Sequence, residues 1–202
     1  MLIKGDGTIE EHLMLRVNEM TELERLLEGN KRYVEGNFAP KDIMAKREAT
    51  KDSQRPFAAI VSCSDSRVVP EFIFDQTLGE LFVIRTAGNI VDTITLGSIE
   101  YGVEHLHTRI LVVLGHEKCG AITAACKGNT CPPNVQAVMD KLKLPVHLGE
   151  MDVEKSVSEN AKAVLEEIRG RSEIVRKHEA EGKLRLVAMK YRLSDGKVEV
   201  VS

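Results

Sequence analysis

The chain has no tryptophan, only four cysteines, and no window approaching the run of about 18 apolar residues that a membrane span requires. A bilayer-crossing helix is therefore not expected. Neither sign of charge is in excess, with 28 Lys and Arg against 31 Asp and Glu, a formal net charge of -3. The nearest approach to a basic tract, Arg169 to Lys177, is broken by Glu173 and lies on a helical pattern. It reads as a solvated face rather than a nucleic-acid surface. The N-terminus lacks a continuous apolar core and turns acidic from Asp6, a poor secretory signal, so a cytoplasmic location is expected. In that reducing setting four cysteines read as thiols or metal ligands, not as a disulfide framework. Internal repeats, low-complexity segments and Ser/Gly-rich linkers are also missing. Residues 1–202 are accordingly expected to form one domain with 1–36 as an N-terminal helical arm, long enough to bury a core without staples. Neither phosphate-binding glycine pattern is present.

What the chain does contain is alternation. Thr21 and Glu24 make a capping box, and Leu23, Leu26, Leu27 and Val34 share one face, predicting a helix over 21–35. From Gly36 to Arg55 the chain reads as polar loop. Short apolar runs at Phe57 to Val61, Leu81 to Ile84 and Ile110 to Leu114 read as buried strands. Leu96, Ile99, Val103 and Leu106 predict a helix between the second and third of these. A short helix follows around Val135 to Leu142, then a longer one over Val153 to Ile168. Leu184 to Tyr191 and Val198 to Val201 read as strands joined about Ser194-Asp195-Gly196. The expected fold is α/β, with a largely parallel central sheet, helices on both faces and an antiparallel strand at one edge.

Two polar segments leave two of these strands. Cys63-Ser64-Asp65-Ser66-Arg67 follows the first, and His116-Glu117-Lys118-Cys119-Gly120 follows the third. Cys63 and His116 stand 53 positions apart in sequence, yet an open α/β sheet gathers ligands at the carboxyl ends of its strands. Two thiolates and an imidazole fill three positions of a tetrahedral zinc site and leave the fourth for water, as catalytic sites do. The thiolates neutralise the dication, and a coordinated water falls in pKa from about 15.7 to about 7. Asp65 and Arg67, two residues apart, can form a bidentate pair that lets Asp65 orient that water. Released by Arg67, Asp65 could itself become the fourth zinc ligand.

C-S-D-S-R followed by about fifty residues and H-x-x-C resembles the β-class carbonic anhydrases. Val61 to Gln76, Gly79 to Asn89, Leu96 to Leu106 and Leu111 to Ala125 all look like segments of that family. The Glu22 to Gly36 helix and the Gly182 to Val200 tail match it more loosely. The resemblance implies reversible hydration of carbon dioxide to bicarbonate and a proton. One Zn2+ per subunit would be held by Cys63, His116 and Cys119, with Asp65 and Arg67 as the catalytic dyad. It further implies a homo-oligomer, dimer or tetramer, with the N-terminal helix exchanged between subunits and a small apolar pocket at the interface. Gln76 and Gly88 are the residues expected at that pocket. The chain departs from the family in reading Arg85-Thr86-Ala87-Gly88-Asn89 where R-N-A-G-N is frequent, and Ala188-Met189-Lys190-Tyr191-Arg192-Leu193 where G-A-x-Y-D-L is usual. Ile60 stands where the bicarbonate-inhibited branch carries a tryptophan, so an inhibitory site of that kind is not expected.

Other chemistries fit the same residues. Carbonyl sulfide or carbon disulfide hydrolysis would use the same scaffold on another linear apolar substrate. A non-catalytic zinc-binding or bicarbonate-sensing module would have no need of Asp65-x-Arg67. A purely structural zinc site would need a fourth protein ligand, which Asp65 could supply. Cys126 and Cys131 read as a helix-face residue and a loop thiol. His105 and His107, two apart on a helix, would face different ways. They are read as structural or solvated, as are His12, His147 and His178. Gly88 and Gly120 are expected to permit close backbone approach at the site.

Overall fold

The computed structural model describes residues 20–128 and 130–201. In chain order its elements are α1 (Glu22–Glu35), α2 (Ile43–Thr50), β1 (Ala58–Cys63), α3 (Pro70–Ile73), β2 (Leu81–Thr86) and α4 (Thr93–Glu104). There follow β3 (Ile110–His116), α5 (Gly120–Lys127), α6 (Pro133–Leu148), α7 (Val153–Arg171), α8 (Glu173–Ala180), β4 (Arg185–Tyr191) and β5 (Val198–Val200). A 3-10 turn over Ala87–Asn89 follows β2.

The strands form one sheet in the order β2-β1-β3-β4-β5. The first four are parallel, and β5 runs antiparallel to β4 at the edge. Every residue of β1 and β3 is buried, as apolar central strands covered on both faces should be. Alternate side chains divide between two cores. Ala59, Val61, Leu111 and Val113 pack with α4, α7 and α8. Ala58, Ile60, Ile110, Val112 and Leu114 pack with α1 and α3 on the opposite face.

Connectivity positions the site. From β1 the chain steps outward to β2, then crosses back past β1 to form β3. The direction of sheet growth therefore reverses at the β1/β3 boundary, where the strand ends splay and a ligand crevice opens. Cys63 is the last residue of β1 and His116 the last of β3.

Some expectations need correction. The stretch read as loop contains α2, held at its start by Asp42 accepting the Ala45 N–H at 2.9 Å. None of its residues is buried, so it leaves no apolar stripe in the sequence. The helix around Val135 to Leu142 runs on through Pro145 to Leu148. The expected strand–helix–strand unit of β2, α4 and β3 is present, with β1 lying between its two strands in the sheet. His105 and His107 are not on a helix body: α4 ends at Glu104, and His107 lies in the link to β3 at φ 55. His12 and the first nineteen residues of the expected arm lie outside the described residues. α1, the rest of that arm, packs against its own chain's sheet, with Leu26 wholly buried.

Candidate metal centre

Three ligand atoms converge where β1 and β3 end. Cys63 Sγ, a ring nitrogen of His116 and Cys119 Sγ lie within 4.8 Å of one another, and all three residues are buried. Cys119 caps α5, so the turn from β3 into that helix aims His116 and Cys119 at one point. Ile122, Met139, Leu142 and Val157 enclose the sulfurs in an apolar wall.

The imidazole is oriented for ligation. His116 Nδ1 lies 2.8 Å from the Glu117 carbonyl oxygen, which can only accept, so Nδ1 carries the proton. Nε2 then presents a lone pair. It is buried and has no hydrogen-bond partner, an arrangement that costs free energy unless a cation completes it. Glu117 is itself fixed by the Ser194 N–H and hydroxyl, which donate to its carboxylate at 2.9 and 3.2 Å.

The sulfurs share the same unmet demand. The Cys63 thiol is held well below its ordinary range, chiefly through a hydrogen bond from Cys119, with the Asp65 and Gly88 N–H groups also contributing. Cys119 is pushed far up by that same bond and by burial. Two thiolates this close cannot both ionise in an apolar wall unless a cation sits between them. Two such sulfurs and a neutral imidazole suit zinc, and the donor set stops one short of tetrahedral closure.

Asp65 and Arg67 form the bidentate pair expected of them. Arg67 Nε donates to Asp65 Oδ1 at 2.9 Å and a terminal guanidinium nitrogen to Oδ2 at 2.8 Å, while the Arg67 N–H also reaches Oδ1 at 3.0 Å. A carboxylate has about four lone-pair sites. Both on Oδ1 and one on Oδ2 are taken, so the remaining site is on Oδ2, the atom 4.0 Å from His116 Nε2. The Arg67 bonds hold the Asp65 carboxyl far below its usual range, so it stays an acceptor-only anion.

A family model described as carbonic anhydrase matches residues 58–198. Carbonic anhydrase 2 of Mycobacterium tuberculosis is 38% identical over 193 residues, covering 91% of this chain and 93% of that one. The chain belongs to the β-class carbonic anhydrases. Its fold is similar to a Coccomyxa β-carbonic anhydrase solved with acetazolamide, at TM-score 0.69 and 28% identity, covering 90% of this chain and 87% of that one. It is also similar in fold to a tetrameric β-carbonic anhydrase from Sordaria macrospora, at TM-score 0.72 and 23% identity, covering 95% and 96%.

Around this β-carbonic anhydrase centre the other expected residues divide. Gly88 is at the site, where its N–H donates to Cys63 Sγ at 3.4 Å. Gln76 is not tied to the cluster by any of its bonds. Its Nε2 donates to the Phe74 carbonyl at 2.7 Å, and its Oε1 accepts from Arg25 of α1 at 3.0 Å. Cys126 lies on α5, 3.8 Å from the Ser156 hydroxyl, with no part in the cluster.

Arg85 was missed in the sequence. It donates from Nε to the Cys63 carbonyl at 3.1 Å and from a terminal nitrogen to the Asp65 carbonyl at 2.8 Å, clamping the loop between ligand and dyad. Asn160 was missed as well; its Nδ2 donates to the Gly88 carbonyl at 2.9 Å. The one available signal was for Arg85, which heads the Arg85-Thr86-Ala87-Gly88-Asn89 segment at the end of β2.

Proposed function

We propose that the chain catalyses the reversible hydration of carbon dioxide to bicarbonate and a proton, with one zinc ion per subunit held by Cys63, His116 and Cys119. One observation carries the reading: three buried ligand atoms within 4.8 Å stand beside a carboxylate whose open lone pair is on Oδ2, 4.0 Å from His116 Nε2. Relatives named carbonic anhydrase across more than nine-tenths of the chain support it. Zinc bound there supplies hydroxide at neutral pH by Lewis-acid polarisation of water.

The chain's own residues prepare the reaction around that group. Arg67 keeps Asp65 ionised and fixes its plane. Asp65 Oδ2 is left free to accept a hydrogen bond, and with zinc bound it would orient an oxygen held there so that a lone pair faces carbon dioxide. An acceptor-only Asp65 favours an oxygen that brings a hydrogen. The wall of Ile122, Met139 and Leu142 makes the surroundings of the two sulfurs apolar, which suits an uncharged substrate. Gly88 enters as the donor to Cys63. Gln76, already bonded to Arg25 and the Phe74 carbonyl, is left a pocket role only at a subunit interface.

We further assign a homo-oligomer, dimer or tetramer, and a cytoplasmic location. Phe38, Ile43, Phe72 and Leu78 are each between 44% and 65% exposed around one cleft, an apolar surface suited to a second copy. Four free cysteines, two of them at the proposed metal site, suit a reducing compartment. No described helix is long and apolar enough to cross a membrane.

Metal analysis of the purified protein with stopped-flow hydration of carbon dioxide tests the reading, and a parallel carbonyl sulfide assay tests the substrate. Near one zinc per chain with rapid hydration is the expected result. A zinc-loaded protein that turns over only carbonyl sulfide would overturn the substrate assignment.

A further inference from the structure

α7 touches the metal centre at three levels. At its start the Glu154 carboxylate accepts the Lys118 N–H at 3.0 Å, within the turn joining His116 to Cys119. One turn on, Val157 packs on Gly115, the residue before His116, so closely that a Cβ on Gly115 would lie 3.0 Å from Val157 Cγ1. Next comes Asn160, 1% exposed, with its amide bonded to the Gly88 carbonyl. Gly88 has φ 70, a conformation that most side chains resist, and Ala121 and Leu142 would stand 3.2 and 3.3 Å from any Cβ there. Its N–H points at Cys63 Sγ.

From this chain of contacts we propose that Asn160 is a positioning residue for the metal centre, holding the Gly88 turn so that its N–H donates to the Cys63 sulfur. The inference rests on the zinc site proposed above. A buried carbonyl must be paired, and Asn160 pins the Gly88–Asn89 peptide; with Gly88 held at φ 70 and ψ 20, that peptide sets the direction of the Gly88 N–H as well. An N–H···S bond withdraws charge from a thiolate, so the thiolate donates less to its metal and the metal remains a stronger Lewis acid. Partners of this outer kind typically change metal affinity or activity by about 10–100-fold.

The test uses the full-length chain and a spectroscopic readout. In wild-type protein loaded with cadmium-113, the Gly88 amide proton should couple to the metal through the hydrogen bond to Cys63. With cobalt in place of zinc, Asn160→Leu, close in volume but without a donor, should move the thiolate-to-cobalt charge-transfer band to lower energy. Asn160→Met, which also lacks a donor and fills the space, covers the case in which leucine prevents folding. Val164→Ala is the control: it loosens α7 one turn beyond Asn160, in the core on the sheet, and should leave band and coupling unchanged. No coupling in wild type, an unmoved band in the folded Asn160 variants, or an equal shift in Val164→Ala would each overturn the proposal. Failure of the wild type to bind zinc, cobalt or cadmium would instead remove the zinc site itself.

Discussion

Arg67 matters through its shape more than its charge. Its planar fork fills three of the Asp65 lone-pair sites together with its own N–H, and this leaves one site on Oδ2. A lysine at this position keeps the charge but not the fork. We therefore expect Arg67→Lys, like Arg67→Ala, to retain near one zinc per chain while lowering stopped-flow hydration by about 10–100-fold. Wild-type activity in Arg67→Lys would show that charge alone suffices. The ligand variants should divide the other way. Cys63→Ala, His116→Ala and Cys119→Ala each remove a metal donor, so metal analysis should find all three well below one zinc per chain. The ligands were legible in the sequence because each ends a strand or opens a helix, where a short motif fixes position. Asn160 was not legible, because its partner Gly88 is 72 residues away and no local pattern marks a buried amide that bonds one distant carbonyl.

Among the elements, α1 shows how far local rules reach. Its capping box, with Thr21 and Glu24 bonded reciprocally, and its apolar face are both readable in sequence. Its docking is not. Asn30 joins the Ile73 and Gly196 carbonyls and the Val198 N–H, while Gly29 lies against the Phe74 carbonyl, where a Cβ would come within 1.8 Å. Helix propensity alone favours alanine at Gly29 by about 1 kcal/mol. The contact reverses that sign: Gly29→Ala should destabilise by about 1–3 kcal/mol or more, since backbone must shift. Gly36→Ala meets nothing within 4 Å and has only its φ of 67 to contend with, about 1–2 kcal/mol. Urea denaturation that ranks Gly36→Ala as the more damaging change would contradict this docking. α2 escaped notice for a related reason, since a helix with no buried residue has no periodicity to read. The strand order escaped too: apolar runs mark buried strands without saying which pair, so only the structure puts β1 between β2 and β3.

For the molecule as a whole, two features set stability and assembly. Asp75, buried at φ 49 after α3, binds Arg32 of α1 at 2.6 Å, Lys41, and the Ala39 N–H at 3.0 Å, tying residues 36–42 to the body. Burial pushes its pKa up, but the Lys41, Arg32 and Ala39 bonds outweigh that and leave it below the usual carboxylate value. A depressed folded pKa contributes stability above the unfolded value of about 3.9, and that stability is lost as pH falls through the folded value. Asp75→Asn should thus cost about 1–3 kcal/mol at neutral pH, and less at pH values where wild-type Asp75 is also protonated. Equal destabilisation at pH 7 and in strong acid would remove Asp75 from the acid response. The proposed assembly would use the apolar cleft around Phe72, itself 65% exposed. Light scattering should find wild type dimeric or larger and Phe72→Asp shifted towards monomer; a monomeric wild type would contradict the assignment.

The most direct measurement is a zinc titration of the metal-free protein, followed by stopped-flow hydration of carbon dioxide at each addition. If Cys63, His116 and Cys119 form the catalytic centre, the rate rises linearly and breaks at one zinc per chain. A rate that stays at the uncatalysed level throughout, or that is already full before zinc is added, would contradict it.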